Sequence, residues 1–507
     1  MDDKMINTKP TALAQAVLLS TLFIGTSAQA TTFLPQDPRA LGMGGTSVAI
    51  ANSSQAHYYN PSLLHNARQD EDFNFEIDLM LRVTDGEGLI GALNTFGEQN
   101  LIEEYQTGFD RFDTNLQGAN DNLVLFQNEL NAAIPNPTDL QTHYDALDAN
   151  LDALEGADGA TIQLRDATNG LKTGLESVSG KPLTFDLGAG ISTSVPNMNT
   201  ISWGFYANVW TTLSLKAQFA KEDGDVISEV SDTLTNLDAT ITSVRGLIDP
   251  NDLAGTNPTT ITEPLEDLSD SLNTVGGNDF QEGLQSSVIV SGGVIRELGL
   301  SLATNYAISG YEFDVGLTPK LLTVDATDHQ IFLNDNTSGD DATFDINDVK
   351  THNSFNADIG ISKLLTENWK TGLVIKNLIP QSFDTPNGLS EIKISPAVRV
   401  GASYQNEWVS AAADLDLTEN EAMGGGSNTR YLALGAEFDA WLLKLRAGYR
   451  ANLSNGSAVP SLGLGLYLVG LNIDFAVAAN SFEVPADEDE AKEFDDISTA
   501  LRIGIQW

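Results

Sequence analysis

The chain has 507 residues, with 70 acidic against 26 basic side chains, a net charge of −44 and no cysteine. That balance excludes a nucleic-acid partner and a basic cluster for anionic lipid. The missing thiols exclude disulfides, thiolate catalysis, cysteine-based zinc sites and a lipid-modified N-terminal cysteine. The length suits either several domains or one large barrel.

The first thirty residues read as a secretory signal. Lys4 and Lys9 precede an apolar run over Ala12–Ile24, and Ala28-Gln29-Ala30 is a small-x-small cleavage site. The mature chain is expected to begin at Thr31. No later run reaches ~18 apolar residues, so no spanning helix is expected. A periplasmic protein, a secreted protein or a β-barrel remains.

Leu34–Leu64 comes next. Pro35 and Asp37-Pro38 supply turn chemistry, and Gly42, Gly44 and Gly45 permit left-handed backbone and close approach of another chain. The stretch closes on Asn60-Pro61, where proline pushes Asn60 toward extended geometry. There is no GxGxxG and no GK[ST], so this is not a phosphate loop. A segment so compact and small-sided suits a plug in a narrow enclosure; the plainer reading is a glycine-rich loop before a first strand.

Arg39-Ala40-Leu41-Gly42-Met43-Gly44-Gly45, followed by alanine-rich alternation and Tyr58-Tyr59-Asn60-Pro61, resembles the start of the FadL-like outer-membrane proteins. It is most similar to their TraF-like conjugative-transfer branch. The resemblance implies an N-terminal hatch over 31–72 inside a barrel lumen, ending in an Asn-Pro-Ala motif. Ser62 stands where that alanine is expected. The resemblance also implies passive uptake of hydrophobic small molecules with the hatch as gate, or a part in conjugative transfer.

Phe73–Val83 alternates apolar and polar residues as a strand does. Residues 84–182 change to helix spacing. Ile102, Tyr105, Phe109, Phe112, Leu116, Ala119, Leu123, Phe126 and Leu130 form one seam, and Leu140 to Leu154 resume it after Pro135 and Pro137. The spacing predicts an antiparallel helical hairpin, either packed only on itself or offering a binding surface. Strands return over 183–195 and 201–219. A second helical insert fills 220–285, with a seam from Ile227 to Ile248 and a partner from Leu265.

From Ser286 the chain is nearly all strand: 286–308, 311–333, 354–364, 369–379, 392–404, 408–418, 430–439, 441–451, 459–468, 471–481 and 497–507. About fourteen strands result, the even number a single-chain outer-membrane barrel needs. Long loops follow the odd strands and short turns the even ones, the pattern of extracellular loops and periplasmic turns. Leu501, Ile503 and Ile505 line one face opposite Arg502, Gly504 and Gln506; Leu443, Leu445 and Tyr449 oppose Lys444, Arg446 and Arg450. The expected fold is all-β: a closed antiparallel transmembrane β-barrel over 73–507, with an N-terminal hatch and helical-hairpin inserts in the first two extracellular loops. It belongs in a Gram-negative outer membrane, among lipid and lipopolysaccharide. The terminal aromatic, Trp507, resembles the strand signal read by the barrel-insertion machinery.

Predicted inward positions carry mixed charge. Lys376, Arg399, Lys444, Arg446, Arg450 and Arg502 face Asp358, Asp414, Asp416, Glu437 and Asp474. These form either an ion-pair network that fills the lumen and docks the hatch or a charged constriction that sets selectivity. Asn334, Asn336, Ser338, Gly339 and Asp345 faintly echo a calcium loop without its leading aspartate and final glutamate. Asp487–Glu490 reads as a solvated loop or a divalent bridge to lipopolysaccharide. The five histidines show no metal-ligand spacing and no GxSxG occurs, so neither an enzyme nor a cofactor is expected. Two roles remain: passage of a hydrophobic small molecule, or contact with a conjugation partner protein through the helical loops.

Overall fold

The computed structural model describes residues 30–31, 33, 35–65, 73–85, 87–132, 135–156, 158–196, 201–253, 263–271, 285–308, 311–332, 348–421, 428–468, 470–480 and 496–506. The expected signal sequence before Ala30, the calcium-like loop, Asp487–Glu490 and Trp507 lie outside the described residues.

Fourteen strands form the wall: β1 Asn74–Thr84, β2 Pro182–Val195, β3 Ser202–Gln218, β4 Ser287–Ile308, β5 Tyr311–Phe332, β6 Lys350–Leu364, β7 Trp369–Lys376, β8 Ala397–Gln405, β9 Val409–Asp416, β10 Tyr431–Ala440, β11 Leu443–Asn452, β12 Ala458–Leu468, β13 Leu471–Ala479 and β14 Asp496–Gln506. Each pairs antiparallel with its chain neighbours. β14 returns to β1, from Gln506 opposite Asn74 to Asp496 opposite Thr84, and closes the barrel. Closure leaves no unpaired edge to hydrocarbon.

Side-chain alternation explains the closure. Ile77, Leu79 and Leu81 of β1 are exposed on the outer face, while Glu76, Asp78 and Arg82 are buried inside. The same holds for Leu501 and Ile503 against Arg502 on β14. Water would oppose such an apolar exterior; lipid favours it. The belt has two marked edges. At the short-turn end Tyr306, Tyr311, Trp369, Trp408 and Trp441 are exposed, an aromatic rim at the depth where amphipathic rings sit. At the other end, outward positions of β5 run apolar from Phe313 to Leu321 and then turn polar at Thr323 and Asp325. That apolar span matches the ~9–11 residues a tilted strand needs to cross. β4 and β5, 22 residues each, continue beyond it as a wall above the membrane.

Two strand boundaries move by four residues or more from the sequence reading. β6 begins at Lys350 rather than 354, because polar Thr351 and Asn353 pair with the raised part of β5. The expected strand 392–404 is split. Residues Gln381–Asp384 and Glu391–Ile394 form a separate two-stranded hairpin, and β8 starts only at Ala397. The break falls at Ser395-Pro396, where proline offers no N–H to a ladder.

The first insert is not one helical pair but four helices: α3 Leu89–Glu98, α4 Leu101–Leu130, α5 Pro137–Leu154 and α6 Ala160–Val178. (α1 and α2 lie in the lumen and are given below.) α6 escaped the sequence reading because Thr161, Thr168 and Gly174 hold core positions that a count of large apolar residues passes over. The second insert supplies α7 Lys221–Leu247 and a helical stretch over 263–271. Both inserts share one core: Leu123, Phe126, Leu147 and Leu154 pack with Leu234, Leu237, Ile241 and Leu268. Phe109, placed in the seam by spacing, is instead exposed. Arg245 of α7 ties the inserts together through Asp148 at 3.0 Å and Glu155 at 2.6 Å. Leu123→Ala deletes a fully buried side chain, and we expect the bundle to lose about 2–5 kcal/mol. Helical ellipticity should melt earlier while the strand signal holds; a single unchanged transition would refute an independent bundle core.

Candidate luminal site

Residues 35–65 fold inside the barrel and are almost wholly buried. Asp37 begins α1, Pro38–Gly42, by accepting the backbone N–H groups of Arg39 at 2.8 Å and Ala40 at 3.2 Å. Pro38 loses nothing at a first helical position. Gly44 and Gly45 then turn the chain at φ +72° and +96°, a region costly for any side chain. α2, Ser53–Tyr59, follows, then a tight turn over Pro61–Leu64. Asn60 locks that turn: its Nδ2 donates to the Val48 carbonyl at 2.8 Å, and its Oδ1 accepts from Ser62 Oγ at 2.7 Å. Alanine at 62 would lack that second bond.

Wall glycines make room for this segment. A Cβ on Gly448 would lie 2.0 Å from the Gly44 nitrogen, and one on Gly360 would lie 1.9 Å from Asn60 Oδ1. Gly316, Gly372 and Gly435 likewise face Pro61, Val48 and Met43. Polar wall groups complete the seat. Asp414 Oδ2 accepts the Ser47 and Val48 N–H groups at 2.7 and 3.0 Å. Ser461 Oγ accepts from the Gly44 N–H at 3.0 Å and donates to the Gly42 carbonyl at 3.2 Å.

Charge binds the rest. Arg39 reaches Glu437 at 3.1 Å, and Glu437 also accepts from Arg446 at 2.6 Å. Arg446 continues to Asp474 at 2.6 Å. Arg502 sits among four carboxylates: Asp37, Asp78 at 2.9 Å, Glu76 at 3.4 Å and Asp474 at 3.9 Å. Gln55 of α2 donates to both Glu76 and Asp78 at 2.7 Å. A second cluster joins Arg82 and Arg450 to Asp496 at 2.7 and 2.8 Å. Lys320 pairs with Asp358 at 3.1 Å and Glu297 at 3.6 Å. His57 stacks on Tyr206 at 4.8 Å; burial, then the Lys376 ammonium, holds its imidazole down at about 3, so it is neutral there.

The sequence-derived positions are therefore distributed unevenly. Arg446, Arg450 and Arg502 lie in the two clusters, and Arg399 pairs with Asp416 at 2.5 Å. Lys376 stacks over the Tyr58 ring at 3.3 Å. Asp414 holds backbone, not a cation. Lys444 lies at the short-turn rim, 3.0 Å from Asp439. Asp37, Arg39, Glu76, Asp78, Arg82 and Asp496 join the charge network without being among the expected members. Period-two alternation on β1 is the signal that could place Glu76, Asp78 and Arg82 on one inward face; Asp37 and Arg39 carry no such signal.

Beside the Arg82–Arg450–Asp496 cluster, across β3, β4 and β5, the lumen turns apolar. Met80, Trp210, Ile295, Leu322, Val324 and Val459 are inward-facing and buried in one cluster. Its floor is Leu41 of α1; its roof is Phe383, Ile392 and Ile394 of the hairpin over 381–394. Voids of about 10 Å³ beside Gln55 each have room for roughly one water molecule.

A closed sheet with an apolar belt, an aromatic rim and a filled interior defines an outer-membrane β-barrel protein. The chain belongs to the family described as "F plasmid transfer operon, TraF, protein", whose profile matches residues 57–416. No curated protein matches it. Among solved structures it is similar to the P. putida toluene transporter TodX, at 10% identity over 93% of this chain and 98% of that chain, TM-score 0.41. It is also similar to a Pseudomonas aeruginosa FadL homologue, at 10% identity over 95% and 99%, TM-score 0.42.

Proposed function

We propose that this protein is a passive outer-membrane channel for uncharged hydrophobic small molecules, exported by its N-terminal signal, with residues 33–65 as its hatch. The apolar cluster in the lumen carries this reading. Lumens of such barrels are ordinarily polar. Turning Leu322, Val324 and Ile295 inward serves no hydrated solute, whereas an apolar solute gains about 25 cal/mol for each Å² it buries there. Nothing in the site asks for covalent chemistry. Deleting residues 33–65 should raise uptake of the apolar fluorophore N-phenylnaphthylamine several-fold in cells displaying the folded barrel. Unchanged uptake would sink the channel reading.

A second role rests on the helical bundle. It has its own core, and residues 84–182 and 220–285 together hold 31 acidic and 6 basic side chains. Such charge repels an anionic membrane surface and holds the bundle away from it, open to another cell or protein. The family description, which names a transfer operon, fits contact during conjugation. Removing residues 87–180 should then lower mating and leave fluorophore uptake intact.

A further inference from the structure

The hairpin over 381–394 alternates like any strand pair, but its apolar side turns into the lumen. Phe383, Ile392 and Ile394 are buried there, while Ser382, Asp384 and Glu391 are exposed. Its base is fastened to β6: Asn356 Nδ2 donates to the Ile379 carbonyl at 2.9 Å, and Gln381 Nε2 to the Phe355 carbonyl at 2.8 Å. Its tip is fastened differently. Asp328, on the raised part of β5, accepts from Thr385 Oγ1 at 2.6 Å, the Asn387 N–H at 2.9 Å and the Leu389 N–H at 2.6 Å. One carboxylate therefore gathers the whole turn. The wall is also cut to fit, since a Cβ on Gly293 would lie 2.7 Å from Ile392 Cδ1.

We infer that the apolar cluster is a binding site for an uncharged, apolar ligand, masked by this chain's own hairpin. Phe383, Ile392 and Ile394 occupy the place the ligand would take, and Asp328 is the latch. Three apolar side chains on a hairpin of two four-residue strands present the surface a small hydrocarbon would, with no charge to strip of water. The latch is polar and lies beyond the membrane belt, so releasing it exposes no backbone to lipid. Release at the tip, with the base still attached to β6, swings the apolar face out and opens the cluster to the outside. This deepens the channel reading and rests on it for the ligand's chemistry.

The absence of cysteine makes the test clean. Asp328→Cys with Asn387→Cys replaces the latch with a disulfide that can be closed or opened in one preparation of full-length protein in lipid nanodiscs. Trp210 lies in the cluster and reports occupancy by energy transfer to N-phenylnaphthylamine. The relevant signal is the saturable part that Trp210→Phe removes. The reduced protein should show it, the oxidised protein should lose most of it, and reductant should restore it. Equal transfer in both redox states, or a signal indifferent to Trp210→Phe, overturns the masked site. That failure is separable from failure of the channel: if hatch deletion still raises uptake, only the latch is wrong.

Discussion

Replacing Arg502 by methionine should release the luminal segment from an otherwise intact barrel. Arg502 is buried and is shared by Asp37 of the segment, Asp78 and Glu76 of β1 and Asp474 of β13. Without it, Glu76 keeps the hydrogen bonds of Gln55 and Ser54, and Asp78 that of Gln55. Removing one partner of a buried ion pair costs about 3–5 kcal/mol, because the other charge stays desolvated. Methionine fills similar volume and leaves the β14 backbone ladder untouched. The repulsion falls where the structure yields most easily, on the non-covalent seat of Asp37. Trypsin should then cut at Arg39 in folded, detergent-solubilised barrel, where wild type resists. Adding Asp78→Asn should recover part of the protection, since the two changes touch one network. Protection equal to wild type in the single variant would show that these charges do not dock the segment.

Gly448→Val should have a comparable effect by steric means alone. The new Cβ would meet the Gly44 nitrogen at 2.0 Å and the Met43 carbonyl carbon at 2.3 Å. Both are backbone atoms in a turn already fixed at positive φ, so neither can swing aside as a side-chain tip would. Valine itself suits a strand, so β11 should still pair with β10 and β12. The expected product is a closed barrel with an unseated segment, seen as normal heat-dependent gel migration together with lost protease protection. Gly246→Ala, in α7 with nothing within 4 Å of the new methyl, is the control and should change neither. A protected segment in Gly448→Val would mean the wall can widen here.

The barrel was legible because lipid and lumen impose a period of two on every strand, and because loop lengths alternate. Arg446, Arg450 and Arg502 followed from the same alternation. Asp37 and Arg39 did not, since a coiled segment has no period and its partners come from strands some 400 residues away. The apolar cluster was hidden for another reason. Leu321 and Leu322 are adjacent and both apolar, one facing lipid and the other the lumen, so alternation alone cannot assign them. The hairpin merged into a neighbouring strand because Ile392, Ile394 and Val398 keep an even spacing across Pro396. The bundle helices were legible where large side chains set the seam and lost where threonine and glycine did.

The seam between the last strand and the first does more than close the wall. Arg502 on one side of it and Asp78 on the other both hold the segment that contains Asp37. The stitch that shuts the cylinder and the anchor that holds its stopper therefore draw on the same buried charges.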